Sequence, residues 1–154
     1  MTKARSEGNA NSLLSADGPI SKALQGFTVR PQQQAMATMI EEVLGGSGTL
    51  LWEAGTGTGK TLAYLIPCFE FNRKTIISTA TKTLQDQLFQ RDIPLVQEAL
   101  DVELSVALLK GRANYLCLHR LELAHGSRNI EPIEQRHLTY LREWSRDTER
   151  GDIT

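Results

Sequence analysis

The sequence predicts an α/β fold, a parallel sheet with flanking helices, and three observations carry that expectation. Short apolar runs at 49–53, 75–79 and 104–109 alternate with stretches of helical periodicity. A glycine-rich turn stands between the first run and the helical stretch behind it. The intervals between runs are long enough for the right-handed crossovers that join parallel strands.

Taken in order, residues 1–16 are rich in Ser, Asn, Gly and Ala and read as a disordered tail. Pro31 suits a first helical position, and Met36, Met39, Ile40, Val43 and Leu44 follow at helical spacing. Gly45-Gly46-Ser47-Gly48 stops that helix. Thr49 to Glu53 reads as a strand, Lys60 to Phe71 as a helix, and Thr75 to Thr79 as a second buried strand. Lys82 to Phe89 reads as a helix and Leu104 to Leu109 as a third strand. Beyond Gly111 the pattern is helical, with one segment at Ala113 to Ala124, ended by Gly126, and another at Pro132 to Trp144. Ile133, Leu138, Leu141 and Trp144 give the latter an apolar stripe, and the mixed charges from Arg128 onward read as a solvated face.

Bulk properties narrow the function classes. A chain of 154 residues, 40% hydrophobic and 23% charged, can bury a real core. A formal net charge of −1 gives no global basic field, although a local groove can still bind a nucleic-acid strand. The two cysteines, Cys68 and Cys117, make neither a disulfide framework nor a complete metal site. His119, His125 and His137 lack metal-ligand spacing and read as surface histidines. The start of the chain has no apolar signal-peptide core, and a run such as Leu62 to Phe69 is too short to span a bilayer. A soluble cytoplasmic protein is expected.

The strongest motif is Ala54-Gly55-Thr56-Gly57-Thr58-Gly59-Lys60-Thr61, a phosphate-binding loop with alanine in place of the first glycine. Glycines let successive N–H groups converge on phosphate oxygens, and the following helix turns its positive end to the same point. Lys60 then supplies charge to the β- and γ-phosphates of ATP, and the Thr61 hydroxyl can ligate Mg²⁺. A chance glycine-rich turn is the plain alternative, but a strand before and a helix after is the context the motif requires.

Three more segments accompany the loop: Arg30-Pro31-Gln32-Gln33, then Ile77 to Leu88, including Ser78-Thr79-Ala80-Thr81, and then Leu109 to Cys117, Leu-Lys-Gly-Arg-Ala-Asn-Tyr-Leu-Cys. In this order and spacing the four segments resemble the start of the DinG/YoaA family of XPD-like iron–sulfur DNA helicases, nearer to YoaA than to DinG. The resemblance covers residues 17 to 154. It implies a RecA-like ATP-binding domain, begun at residues 17–110, followed at 111–154 by the start of a helical iron–sulfur insertion.

The resemblance also assigns roles. Gln33, with Arg30 nearby, matches a glutamine motif that recognises adenine, and an amide can pair with adenine's donor and acceptor edge together. A solvated glutamine beside Gln32 and Gln34 is the alternative. Ser78, Thr79 and Thr81 match a segment that touches the phosphate backbone of single-stranded DNA, while Thr81 could equally cap the next helix. Cys117 matches the first of four cysteines holding a [4Fe–4S] cluster in the full-length protein; Cys68 reads as a small buried apolar residue.

The parts that complete such an enzyme, an Asp-Glu-Ala-His box and a second RecA-like domain, do not occur in these 154 residues. The sequence therefore reads as the N-terminal part of an ATP-dependent DNA helicase. In that reading the full-length protein moves 5′ to 3′ on single-stranded or forked DNA in DNA repair, and the 154-residue chain alone is inactive. A different P-loop ATPase such as a kinase, or a non-catalytic nucleotide-binding module, are the alternatives.

Overall fold

The computed structural model describes residues 9–127 and 130–153. They divide into two compact units, Met1–Ala107 and Leu108–Thr154.

The first unit is built around α3 (Pro31–Gly45) and α4 (Lys60–Glu70), which pack against each other. Pro31 begins α3 because its missing N–H is one that a first helical residue has no use for. The helix ends at the glycine pair as expected, with the Gly46 N–H returned to the Glu42 carbonyl. In α4, Ala63, Leu65, Ile66 and Phe69 are buried and supply the centre of the core. Two short helices, α1 (Ala10–Leu13) and α2 (Pro19–Ala23), add Ala10, Leu14 and Ile20 to it.

The expectation of a disordered tail through residue 16 fails from Asn9 onward; residues 1–8 lie outside the described residues. Asn9 caps α1 by accepting from the Ser12 N–H, and Ala10 donates its N–H to Glu41 Oε1 on α3. Asn11 Nδ2 donates to Thr38 Oγ1 at 3.0 Å. Polar composition hid this docking because two aliphatic residues, Ala10 and Leu14, are enough to anchor so short a helix.

α5 (Lys82–Gln87) runs through one π-helical turn, Leu88–Asp92, into α6 (Ile93–Ala99). Pro94 accounts for the irregular turn: it has no N–H for the Gln90 carbonyl, so the regular ladder cannot continue there. Val96 and Leu88 bury against the core from this side, and α6 packs on α2 and α4.

The three predicted strands do not form a ladder among the described residues. The segments 49–53, 75–79 and 104–109 have no regular secondary structure, and Leu51, Ile76 and Leu109 are 95%, 93% and 80% exposed. An apolar run specifies a wish for burial, but the hydrogen-bond partners of a strand come from elsewhere in the chain.

The second unit pairs α7 (Leu118–His125) with α8 (Pro132–Asp147), preceded by a 3₁₀ turn at Arg112–Asn114. Arg142 Nε lies 3.2 Å from Glu122 Oε1 across that pair. Among the described residues one antiparallel bridge is present, joining Tyr115 to Asp152.

Candidate nucleotide site

The phosphate loop takes the backbone shape its glycines were expected to permit. Gly57 and Gly59 sit at φ +75° and +81°, the left-handed region that other residues enter only with strain. Gly59 is the N-cap of α4, so Lys60 is its first residue and Thr61 its second. The first-turn N–H groups of α4 therefore open toward the loop. Within the loop Thr58 Oγ1 donates to the Gly55 carbonyl at 3.0 Å. Lys60 Nζ donates to the Ala54 carbonyl at 2.9 Å and also to that of Gly55. The ammonium thus lies over the loop backbone, where phosphate oxygens can compete with the carbonyls for it. Thr56 is exposed.

Thr61 has a neighbour that the motif does not announce. Tyr64 stands one helical turn on, on the same side of α4. Burial lifts the Tyr64 phenol above its ordinary pKa, Thr61 pulls it back in part, and the charges of Asp92 and Cys68 add to the rise. The phenol therefore stays a neutral hydroxyl beside Thr61. The i, i+3 spacing on one helix was the available signal.

Gln33 is deeply buried, with 2% of its surface exposed. Its Nε2 donates to the Gly59 carbonyl at 2.8 Å, and its Oε1 is buried with no hydrogen-bond partner. The amide therefore reaches the phosphate loop itself rather than lying solvated at a helix start. Arg30, the N-cap of α3, is exposed, and its carbonyl accepts from the Gln33 and Gln34 N–H groups.

Ser78, Thr79 and Thr81 lie in the turn that leads into α5. Thr79 Oγ1 donates to the Thr81 carbonyl at 3.2 Å, and Thr81 Oγ1 accepts from the Leu84 N–H at 3.2 Å. Thr81 is therefore a helix cap, the alternative role the sequence offered it, while Ser78 remains exposed.

The two cysteines differ sharply. Cys68 is half-buried in α4, and burial raises its thiol pKa against a lowering hydrogen bond with Thr75. Cys117 is exposed at the N-cap of α7. Among the described residues no group of three or more His, Cys, Asp or Glu side chains is placed to hold a metal ion.

A family model for the DEAD/DEAH box helicases matches residues 30–130, which takes in the glutamine segment, the loop and Cys117. The chain belongs to that helicase family, in its DinG/YoaA branch. It is 44% identical over 150 residues to the ATP-dependent DNA helicase YoaA of Haemophilus influenzae, covering 96% of this chain and 23% of that protein. It is 48% identical over 141 residues to the YoaA of Escherichia coli, covering 90% and 22%. With the ATP-dependent DNA helicase DinG of Photobacterium profundum it shares 37% identity over 123 residues, covering 74% and 18%. The chain thus spans less than a quarter of the length of these relatives. No solved structure matches it. The helicase family implies a RecA-like P-loop fold for residues 30–130.

Proposed function

We propose that this chain is the ATP-binding front part of an ATP-dependent DNA helicase that couples hydrolysis to movement along single-stranded or forked DNA. The observation that carries the reading is the loop itself: left-handed Gly57 and Gly59 turn the backbone so that Lys60 and Thr61 open a helix at the bend. Lys60 leaves the Ala54 and Gly55 carbonyls for the β- and γ-phosphates. The N–H groups of 55–61 would hold phosphate oxygens, and the Thr61 hydroxyl would ligate Mg²⁺, which would screen the phosphate charge. Gln33 and Arg30 recognise adenine in this reading; the Gln33 amide, buried against the Gly59 carbonyl, turns outward to offer its unpartnered Oε1 to the amino group.

In this reading 49–53, 75–79 and 104–109 become neighbouring strands of a parallel sheet, which would cover Leu51, Ile76 and Leu109. Ser78 and Thr79 contact the phosphate backbone of DNA at the end of the second strand, together with Thr81. The domain limits are 17–110 for the ATP-binding part and 111–154 for the start of the insertion.

The chain's own residues fit a [4Fe–4S] ligand role at one position. Cys117 offers an exposed thiol at the N-cap of α7, whereas Cys68 is withheld by burial. A cluster takes four thiolates and would supply rigidity to the insertion; the other three come from the remainder of a protein of the relatives' length. No helix among the described residues is long and apolar enough to cross a membrane. From the likeness to DNA helicases we place the protein in the cytoplasm, acting in DNA repair.

The test is strand displacement by the full-length protein with ATP, on duplexes carrying a 5′ or a 3′ single-stranded tail. Displacement of the 5′-tailed duplex alone is expected. Displacement of neither, by a protein that binds ATP, would favour a non-catalytic nucleotide-binding module.

A further inference from the structure

Lys110 is a buried lysine that the nucleotide site does not use. Its side chain is 4% exposed, and Nζ lies 2.8 Å from Asp152 Oδ2. The same residue donates its backbone N–H to Tyr115 Oη at 2.8 Å. Asp152 stands opposite Tyr115 in the one antiparallel bridge, flanked by two cross-chain bonds: Leu116 N–H to the Gly151 carbonyl at 2.8 Å, and Ile153 N–H to the Asn114 carbonyl at 2.9 Å. Gly151 at φ +65° makes the turn that brings the chain back, with its N–H on Thr148 Oγ1 at 3.0 Å. The chain therefore enters α7 and returns from α8 at one place, and Cys117 is the first residue beyond the paired segment.

We infer that Lys110 and Asp152 form a clasp that closes the base of the α7–α8 excursion and thereby positions Cys117; the second half rests on the proposed ligand role of that cysteine. A buried ammonium must be held by an opposite charge, because its desolvation is otherwise uncompensated. That need ties residue 110 to residue 152 and brings the two backbone segments into hydrogen-bonding register. The bridge consists of those two backbone bonds, too few to hold such a pair of segments without a side-chain contact across them. Lys110 and Asp152 are accordingly positioning residues, acting on Cys117 through the backbone they join.

The experiment uses the full-length protein, purified anaerobically, as wild type, Asp152→Asn, Lys110→Met, the double variant Lys110→Met/Asp152→Leu, and Cys117→Ser. Two quantities are read: hydrogen exchange at the Leu116 and Ile153 amides, and the rate at which a chelator removes iron. Each single variant is expected to raise exchange at both amides about tenfold or more, with α3 and α4 unchanged, and to speed iron loss. The double variant replaces the ion pair with an apolar Met–Leu contact across the same two segments, and is expected to return both quantities toward wild type, which also covers the case of a single variant that fails to fold. Unchanged exchange in Asp152→Asn overturns the clasp. Faster exchange with unchanged iron loss overturns the positioning of Cys117. Iron retained at the wild-type level in Cys117→Ser overturns the ligand role, and with it the positioning, while exchange alone then judges the clasp.

Discussion

Gln33 and Gly59 fit each other as donor and space: Nε2 donates to the Gly59 carbonyl at 2.8 Å, and a Cβ at Gly59 would stand 2.2 Å from that same nitrogen. One contact thus fixes α3 against the bend of the phosphate loop and reserves residue 59 for glycine. Gly59→Ala should cost about 1–2 kcal/mol for its left-handed backbone alone, and more for the collision. Gln33→Ala removes the colliding group, so the double variant should be more stable than the sum of the two losses. Thermal unfolding of the four proteins measures this, and strict additivity would mean that the two residues do not meet.

This pairing marks where sequence reading stopped. The glycines, Lys60 and Thr61 were legible because their roles are local: a turn of this shape admits few residues besides glycine, and the helix follows at once. Pro31 and Gly46 likewise fixed both ends of α3. Gln33 was legible as a residue of interest but not as a partner of Gly59, because 26 residues separate them and nothing local ties them. α6 was missed because Ile93–Ala99 is short and has Pro94 in its first turn, where the preceding helical pattern breaks. The strands at 49–53 and 75–79 were read from apolar runs whose pairing depends on distant segments. Asp152, which holds Lys110, gave no signal because a single acid in a mixed-charge stretch reads as solvated.

Thr81 has two candidate duties that substitution separates. Thr81→Ala should lose about 1 kcal/mol of stability with the cap on Leu84 N–H. Thr81→Asp keeps an N-cap acceptor but sets a negative charge against DNA phosphates, so it should hold stability while weakening single-strand binding several-fold at low salt. Wild-type DNA affinity in Thr81→Asp, measured by fluorescence anisotropy, would leave Thr81 as a cap only.

The two thiols should react at very different rates. Cys117 is exposed, whereas Cys68 is half-buried with its pKa raised by desolvation, so less of it is thiolate at any given pH. Alkylation of the 154-residue chain at pH 8, followed by peptide mass analysis, should modify Cys117 first. Cys68 should catch up only at higher pH or on unfolding. Equal rates in the folded chain would contradict the burial of α4.

The most direct measurement is single-strand-stimulated ATP hydrolysis by the full-length protein, wild type against Lys60→Ala. Lys60 begins α4 from the loop and bonds only to loop carbonyls, Ala54 and Gly55, in the contacts described for it, so its loss should spare the fold. We predict turnover lower by about a hundredfold or more, with an unchanged melting temperature. Wild-type turnover in a folded Lys60→Ala protein would contradict the nucleotide site described here.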